Sequence, residues 1–110
     1  MSCYVLAQLK FRDVAAYRRY QVQFFDVMRP FKGRLLVADE APRTLEGEWP
    51  TDKIVLIWFP DEASFRAWES SEAYQRIAVD RMAGAETVSL LLRGIAASPD
   101  TEMRNETKRG

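Results

Sequence analysis

Six apolar residues in a row, Ile54, Val55, Leu56, Ile57, Trp58 and Phe59, constrain this chain more than any other feature. They have the length and β-branched content of a strand. Side chains alternate between the two faces of a strand, so neither face of this one can look at water. The run turns at Pro60 and Asp61 and continues with helical spacing through Phe65 and Trp68. Helices from the same chain can cover one face. With 110 residues in all, little chain remains to cover the other. A second copy of the protein is the expected cover, and a homodimer is the expected assembly.

The length fits one domain. Sixteen basic residues balance sixteen acidic ones, and no basic stripe stands out, so nucleic acid is not an expected partner. Histidine is absent, which removes histidine metal ligands, histidine-ligated haem and serine–histidine catalysis together. No metal and no cofactor is expected. Cys3 is the sole cysteine and sits in the first apolar segment, where it reads as a buried small hydrophobe. That apolar segment stops at Leu9 without a basic start, so no leader is expected. No apolar run approaches the roughly 20 residues of a membrane span. A cytoplasmic location is expected.

In chain order, residues 3–10 read as a strand. Asp13 can cap a helix over 13–31, where Val14, Tyr17, Gln21, Phe24, Met28 and Phe31 recur at alternating steps of 3 and 4. Gln21 is the polar break in that stripe, aimed into a pocket or bonded at its edge. Arg34–Asp39 reads as a second strand, 40–50 as a polar loop with Pro42, Gly47 and Pro50, and Lys53–Phe59 as a third strand. Asp61 and Ser71 can cap two short helical segments. Residues 86–93 read as a fourth strand, with Val88, Leu90 and Leu92 on one face and Leu91 on the other. Residues 1–95 form the expected domain, and 96–110 a solvated polar tail.

The order β-α-β-β-α-β predicts an α+β, ferredoxin-like fold: a four-stranded antiparallel sheet with helices on one face. Leu6, Leu36, Leu56, Trp58 and Leu91 are expected on the bare face, as the candidate dimer interface.

Several pieces then form a pattern. Tyr17 and Tyr20 stand on the first helix, and Gly33 and Arg34 open the second strand. Leu45, Glu46, Gly47, Glu48 and Trp49 make a Glu-Gly-x-Trp loop, and the apolar strand ends in Phe59-Pro60. Ser71, Glu72, Ala73, Tyr74, Gln75, Arg81 and Gly94 follow. With these, the chain over about residues 3–94 resembles the bacterial domain of unknown function 1330 family, within the dimeric α+β barrel superfamily. It departs from the family pattern at Lys32, where Gly is usual, at Lys53 (Arg), at Trp58 (Glu) and at Glu72-Ala73 (Pro-Glu). The resemblance implies a dimeric α+β barrel and no settled activity.

Arg34, Glu46, Trp49, Tyr74 and Arg81 are the candidate ligand-binding residues. Glu46 with Arg34 is either an acid/base group held by a cation or a structural ion pair. Arg34 or Arg81 has the geometry to take a carboxylate through two N–H groups. Trp49 is a lid or a dimer contact, and Gly47 serves a backbone bend with positive φ. Three function classes stay open. One is a binder of a small anionic or aromatic molecule in a cleft between sheet and helices. Another is a small cofactor-free enzyme of monooxygenase or isomerase type, by analogy of fold. The third is a non-catalytic assembly module, which predicts a closed cleft.

Overall fold

The computed structural model describes residues 1–95. The expectation of a solvated tail falls on residues 96–110, outside the described part. Seven elements follow one another: β1 (Cys3–Phe11), α1 (Val14–Met28), β2 (Arg34–Asp39), β3 (Lys53–Phe59), α2 (Glu62–Glu69), α3 (Glu72–Gly84) and β4 (Ala85–Arg93). The strands form one antiparallel sheet in the order β2-β3-β1-β4, with the helices on one face. The expected ferredoxin-like α+β arrangement is therefore the observed one.

Each helix starts where a short polar side chain replaces the missing intrahelical acceptor. Asp13 accepts from the Ala16 amide at 3.2 Å, and Asp61 from the Ser64 amide at 2.7 Å. The Ser71 hydroxyl accepts from the Tyr74 amide at 3.1 Å and donates to the Trp68 carbonyl at 2.7 Å. Ser71 thus closes α2 and opens α3 with one side chain. The first helix ends at Met28, ahead of Pro30, which cannot continue it.

The register fixes which residues share a face. On the inner, helix-facing side the rows read Leu35–Ile57–Val5–Leu91, Ala38–Val55–Ala7–Ser89 and Lys53–Leu9–Thr87. On the outer side they read Arg34–Trp58–Tyr4–Leu92, Val37–Leu56–Leu6–Leu90 and Asp39–Ile54–Gln8–Val88. Leu6, Leu56 and Trp58 stand on the outer face, as expected. Leu91 does not: it lies in the row of Val5, on the helix side. Over Leu90, Leu91 and Leu92 both faces of β4 are apolar, so alternation there identifies two faces without saying which is inner. Pairing to β1 settles the phase and turns Val88, Leu90 and Leu92 outward. Leu36 sits at a bulge between Leu35 and Val37, so Val37 takes the place beside Leu56.

The core is a chain of rings. Phe59 meets Phe65 and Trp68 at 5.7 and 5.5 Å between centroids, Trp68 meets Phe24 and Tyr74, and Tyr74 meets Tyr20. Tilted and edge-on contacts of this kind add to the burial itself. Cys3 is buried at the margin, and burial raises its thiol pKa, as expected of a packing residue.

Gly84 joins the two long helices. Its carbonyl accepts from the amides of Arg12 and Asp13 at 2.8 and 3.1 Å. A methyl group there would meet the Tyr17 backbone nitrogen, with the Tyr17 Cα 2.8 Å away. Backbone cannot swing aside as a side-chain tip can. Gly84→Ala should destabilise by about 1–3 kcal/mol. Each kcal/mol corresponds to about 4–8 °C in Tm for a domain of this size. A thermal melt within about 1 °C of wild type would show that α1 and α3 separate freely.

Candidate functional site

A cleft of about 750 Å³ lies between the inner face of the sheet and the three helices. Its floor explains its existence. The row Ala38–Val55–Ala7–Ser89 holds mainly small side chains where a closed core would need large ones. The helices contribute Tyr17, Tyr20, Phe24, Trp68 and Tyr74 to the walls, with Gln21, Arg81 and the strand residue Lys53 as polar groups. A volume of this order suits a small organic ligand.

Lys53 occupies an unusual position. It opens an otherwise apolar strand, points inward, and is 3 % exposed. Two contacts accommodate the charge. Its Nζ lies 3.4 Å from Glu40 Oε2 and 4.8 Å from the centroid of the Tyr17 ring. Glu40 is itself gripped by Arg18, whose two terminal nitrogens donate to its two oxygens at 2.5 and 2.7 Å. That fork holds the Glu40 carboxyl down at about 2, with Lys53 assisting. Arg18 also donates to Gln21 Oε1 at 2.6 Å. Gln21 therefore does both things its place in the stripe allowed: it lines the cleft and is bonded at its edge.

Across the same end of the cleft stands Arg81, near the end of α3. One terminal nitrogen donates to the Thr87 hydroxyl at 3.1 Å. Thr87 and Lys53 share a row with Leu9 between them, so their backbones lie about 10 Å apart. Tyr20 is buried close by. Burial first, then Tyr74 and a shared hydrogen bond with it, raise the Tyr20 hydroxyl's pKa far above its ordinary value. It stays a protonated donor at any physiological pH.

Of the five expected site residues, the structure brings Tyr74 and Arg81 together at the cleft and leaves the other three elsewhere. Arg34 is on the outer face, its guanidinium 5.9 Å from the Trp58 ring centroid. Glu46 and Trp49 line a shallow depression of about 270 Å³ within the loop itself, with Pro42, Arg43 and Leu45. The expected Arg34–Glu46 pairing is not what anchors that loop; Glu40 and its two cations are. Gly47 has φ of 78°, the bend its residue type anticipated. Sequence reasoning left Tyr20, Trp68 and Glu40 out of the site. The available signal was Lys53 itself, a charge at the mouth of a strand with no polar face. Among the described residues no cluster of metal-ligating side chains occurs. No helix among them is long and apolar enough to cross a membrane.

This is a ferredoxin-like α+β domain. The sequence model of the domain of unknown function 1330 family matches residues 2–95, and the chain belongs to that family. No curated protein matches its sequence. Among solved structures it resembles a protein of unknown function from Rhodopseudomonas palustris, at 16% identity and a TM-score of 0.73, covering 86% of this chain and 83% of that one. It also resembles SnoaB, a cofactor-independent oxygenase from Streptomyces nogalater (11% identity, TM-score 0.63, 89% and 97% covered). A third is a dabb family protein with a ferredoxin-like fold from Mesorhizobium loti (9%, 0.63, 86% and 98%). At these identities the likeness is one of fold.

The Glu40 fork predicts a pH dependence. A carboxyl whose folded pKa is depressed contributes stability that is complete above its ordinary value, near 4.3, and lost as the pH falls towards about 2. The Glu40 side chain is 34% exposed, so screening keeps the effect to about 1 kcal/mol. Glu40→Gln should melt several degrees lower at neutral pH. The two melting curves should converge as pH drops through that window; a constant gap down to the acid limit would contradict the assignment.

Proposed function

We propose that the protein binds a small, planar, anionic or aromatic molecule in the cleft between sheet and helices. The observation that carries the reading is the lining: an apolar floor of small residues, aromatic walls, and two cations at one end. A module that served assembly alone would gain nothing from leaving about 750 Å³ unfilled. The cofactor-free oxygenase reading has one supporting observation, the shared fold with SnoaB. Glu40, whose pKa is held near 2, is a poor base for it, and the Tyr20 hydroxyl stays protonated.

The test is a thermal-shift screen of aromatic acids and phenols. A ligand at about 100 times its Kd stabilises by roughly 2.7 kcal/mol. Ala7→Phe, which raises the floor, should keep the fold and lose the shift. Equal shifts in both proteins would place binding outside the cleft. Oxygen uptake with any compound that binds would move the reading to the enzyme.

We further propose that the outer face is covered by a second copy. Leu6, Leu56, Trp58, Leu90 and Leu92 stand together there, with Leu90 55 % exposed in the single chain. The resemblance to the dimeric α+β barrel superfamily supports the same occupant. Stacking two such sheets should bury a standard interface of roughly 1,200–2,000 Å². Trp58→Glu should weaken the dimer in sedimentation equilibrium, since it buries an unpaired charge. An unchanged association constant would put Trp58 outside the contact.

A further inference from the structure

We propose that the Arg81 end of the cleft is an oxyanion subsite, and that the ligand is an aromatic molecule bearing a carboxylate or phenolate. The inference rests on the cleft reading above and deepens it. Three cations line the cleft, and they differ in their company: Arg66 is paired with Glu62 and Glu69. Lys53 is met by Glu40, whose charge Arg18 fixes. Arg81 meets no carboxylate among the described residues; its neighbours are the Thr87 hydroxyl and the Tyr20–Tyr74 pair. A half-buried guanidinium without a counter-ion is costly unless an anion visits it.

A second observation points to the same place. Arg81 Nε is buried and has no acceptor. The indole Nε1 of Trp68 is in the same condition. Both residues line the cleft, and the Trp68 ring lies 4.1 Å from that of Tyr74, which is bonded to Tyr20. A buried donor left unsatisfied costs about 1–3 kcal/mol. Both donors belong to residues that line the cleft, and neither has an acceptor among the described residues. An oxyanion supplies lone pairs and charge at once. The aromatic walls and the Ala7 floor take the planar body attached to it. The charged oxygen therefore faces Arg81, and Lys53 stays with Glu40.

The experiment uses naphthoate and its neutral isostere naphthamide, titrated calorimetrically into the wild-type protein and into Arg81→Met. The acid should bind wild type roughly tenfold or more tighter than the amide. Arg81→Met should erase that preference. In the wild type, the Arg81 Nε–H proton resonance should move downfield with naphthoate and stay in place with naphthamide, a readout that survives if the variant fails to fold. Equal binding of acid and amide to wild type overturns the oxyanion subsite and leaves the cleft reading standing. A preference that persists in Arg81→Met, or an unmoved Nε–H resonance, puts the anion elsewhere and overturns it too. Binding of neither compound to wild type, up to their solubility limits, overturns both.

Discussion

The structure depends on a pair of central strands that are apolar on both faces. β1 and β3 lie side by side in the middle of the sheet. Their inner residues Cys3, Leu9, Ile57 and Phe59 are buried by the helices. Their outer residues Tyr4, Leu6, Leu56 and Trp58 are only half-buried, because all three helices sit on the other side. The hydrophobic effect acts equally on both faces and specifies no polarity between them. What distinguishes them is what each is asked to meet. The inner face carries a graded row, large at Ile57 and Phe59 and small at Ala7, Ala38 and Ser89. The outer rows carry larger apolar groups from strand to strand, the texture of a surface that meets another surface.

The gradation on the inner face separates core from cleft without a change of element. At the Phe59 end, rings from β3, α1 and α2 close on one another, and Gly33 leaves room for Met28 and Phe59 to approach. Towards Lys53 the floor drops and the same helices stand over open space. The aromatic chain from Phe59 through Trp68 and Tyr74 to Tyr20 runs from one region into the other. The cleft walls are thereby held by the core itself, so a ligand would meet side chains that have already lost their rotamer freedom.

The fold was legible because its signals are local and mutually consistent. Asp13, Asp61 and Ser71 each cap the helix their positions announce, and β2 and β3 begin and end where the pattern does. Of the five expected binding residues, Tyr74 and Arg81 line the cleft. Arg34, Glu46 and Trp49 were drawn in by proximity in a motif, but strand direction sends Arg34 to the outer face and the loop folds on itself. The position of Glu40 depends on Arg18 reaching it from a helix 22 residues earlier, a contact no spacing rule contains. Leu91 was misplaced for a related reason: with apolar residues on both sides of β4, only pairing to β1 chooses the phase.

Lys53 and Arg81 show how one sequence can keep a charge quiet or leave it active. Both sit on the polar end of the inner face, and both are donors only. Lys53 is the deeper, yet its charge is absorbed by a carboxylate held ionised by Arg18 and by the face of Tyr17. Removing its exposure to water therefore costs little further. Arg81 is shallower, but its guanidinium has a hydroxyl in place of a counter-ion and one N–H with nothing to meet. Stability alone would favour the opposite allocation, with the carboxylate given to the group whose hydrogen bonds are incomplete. A binding site favours the observed one. The paired lysine fixes the loop after β2 to α1 and keeps the cleft's shape, and the unpaired arginine keeps the free energy that an incoming anion would release.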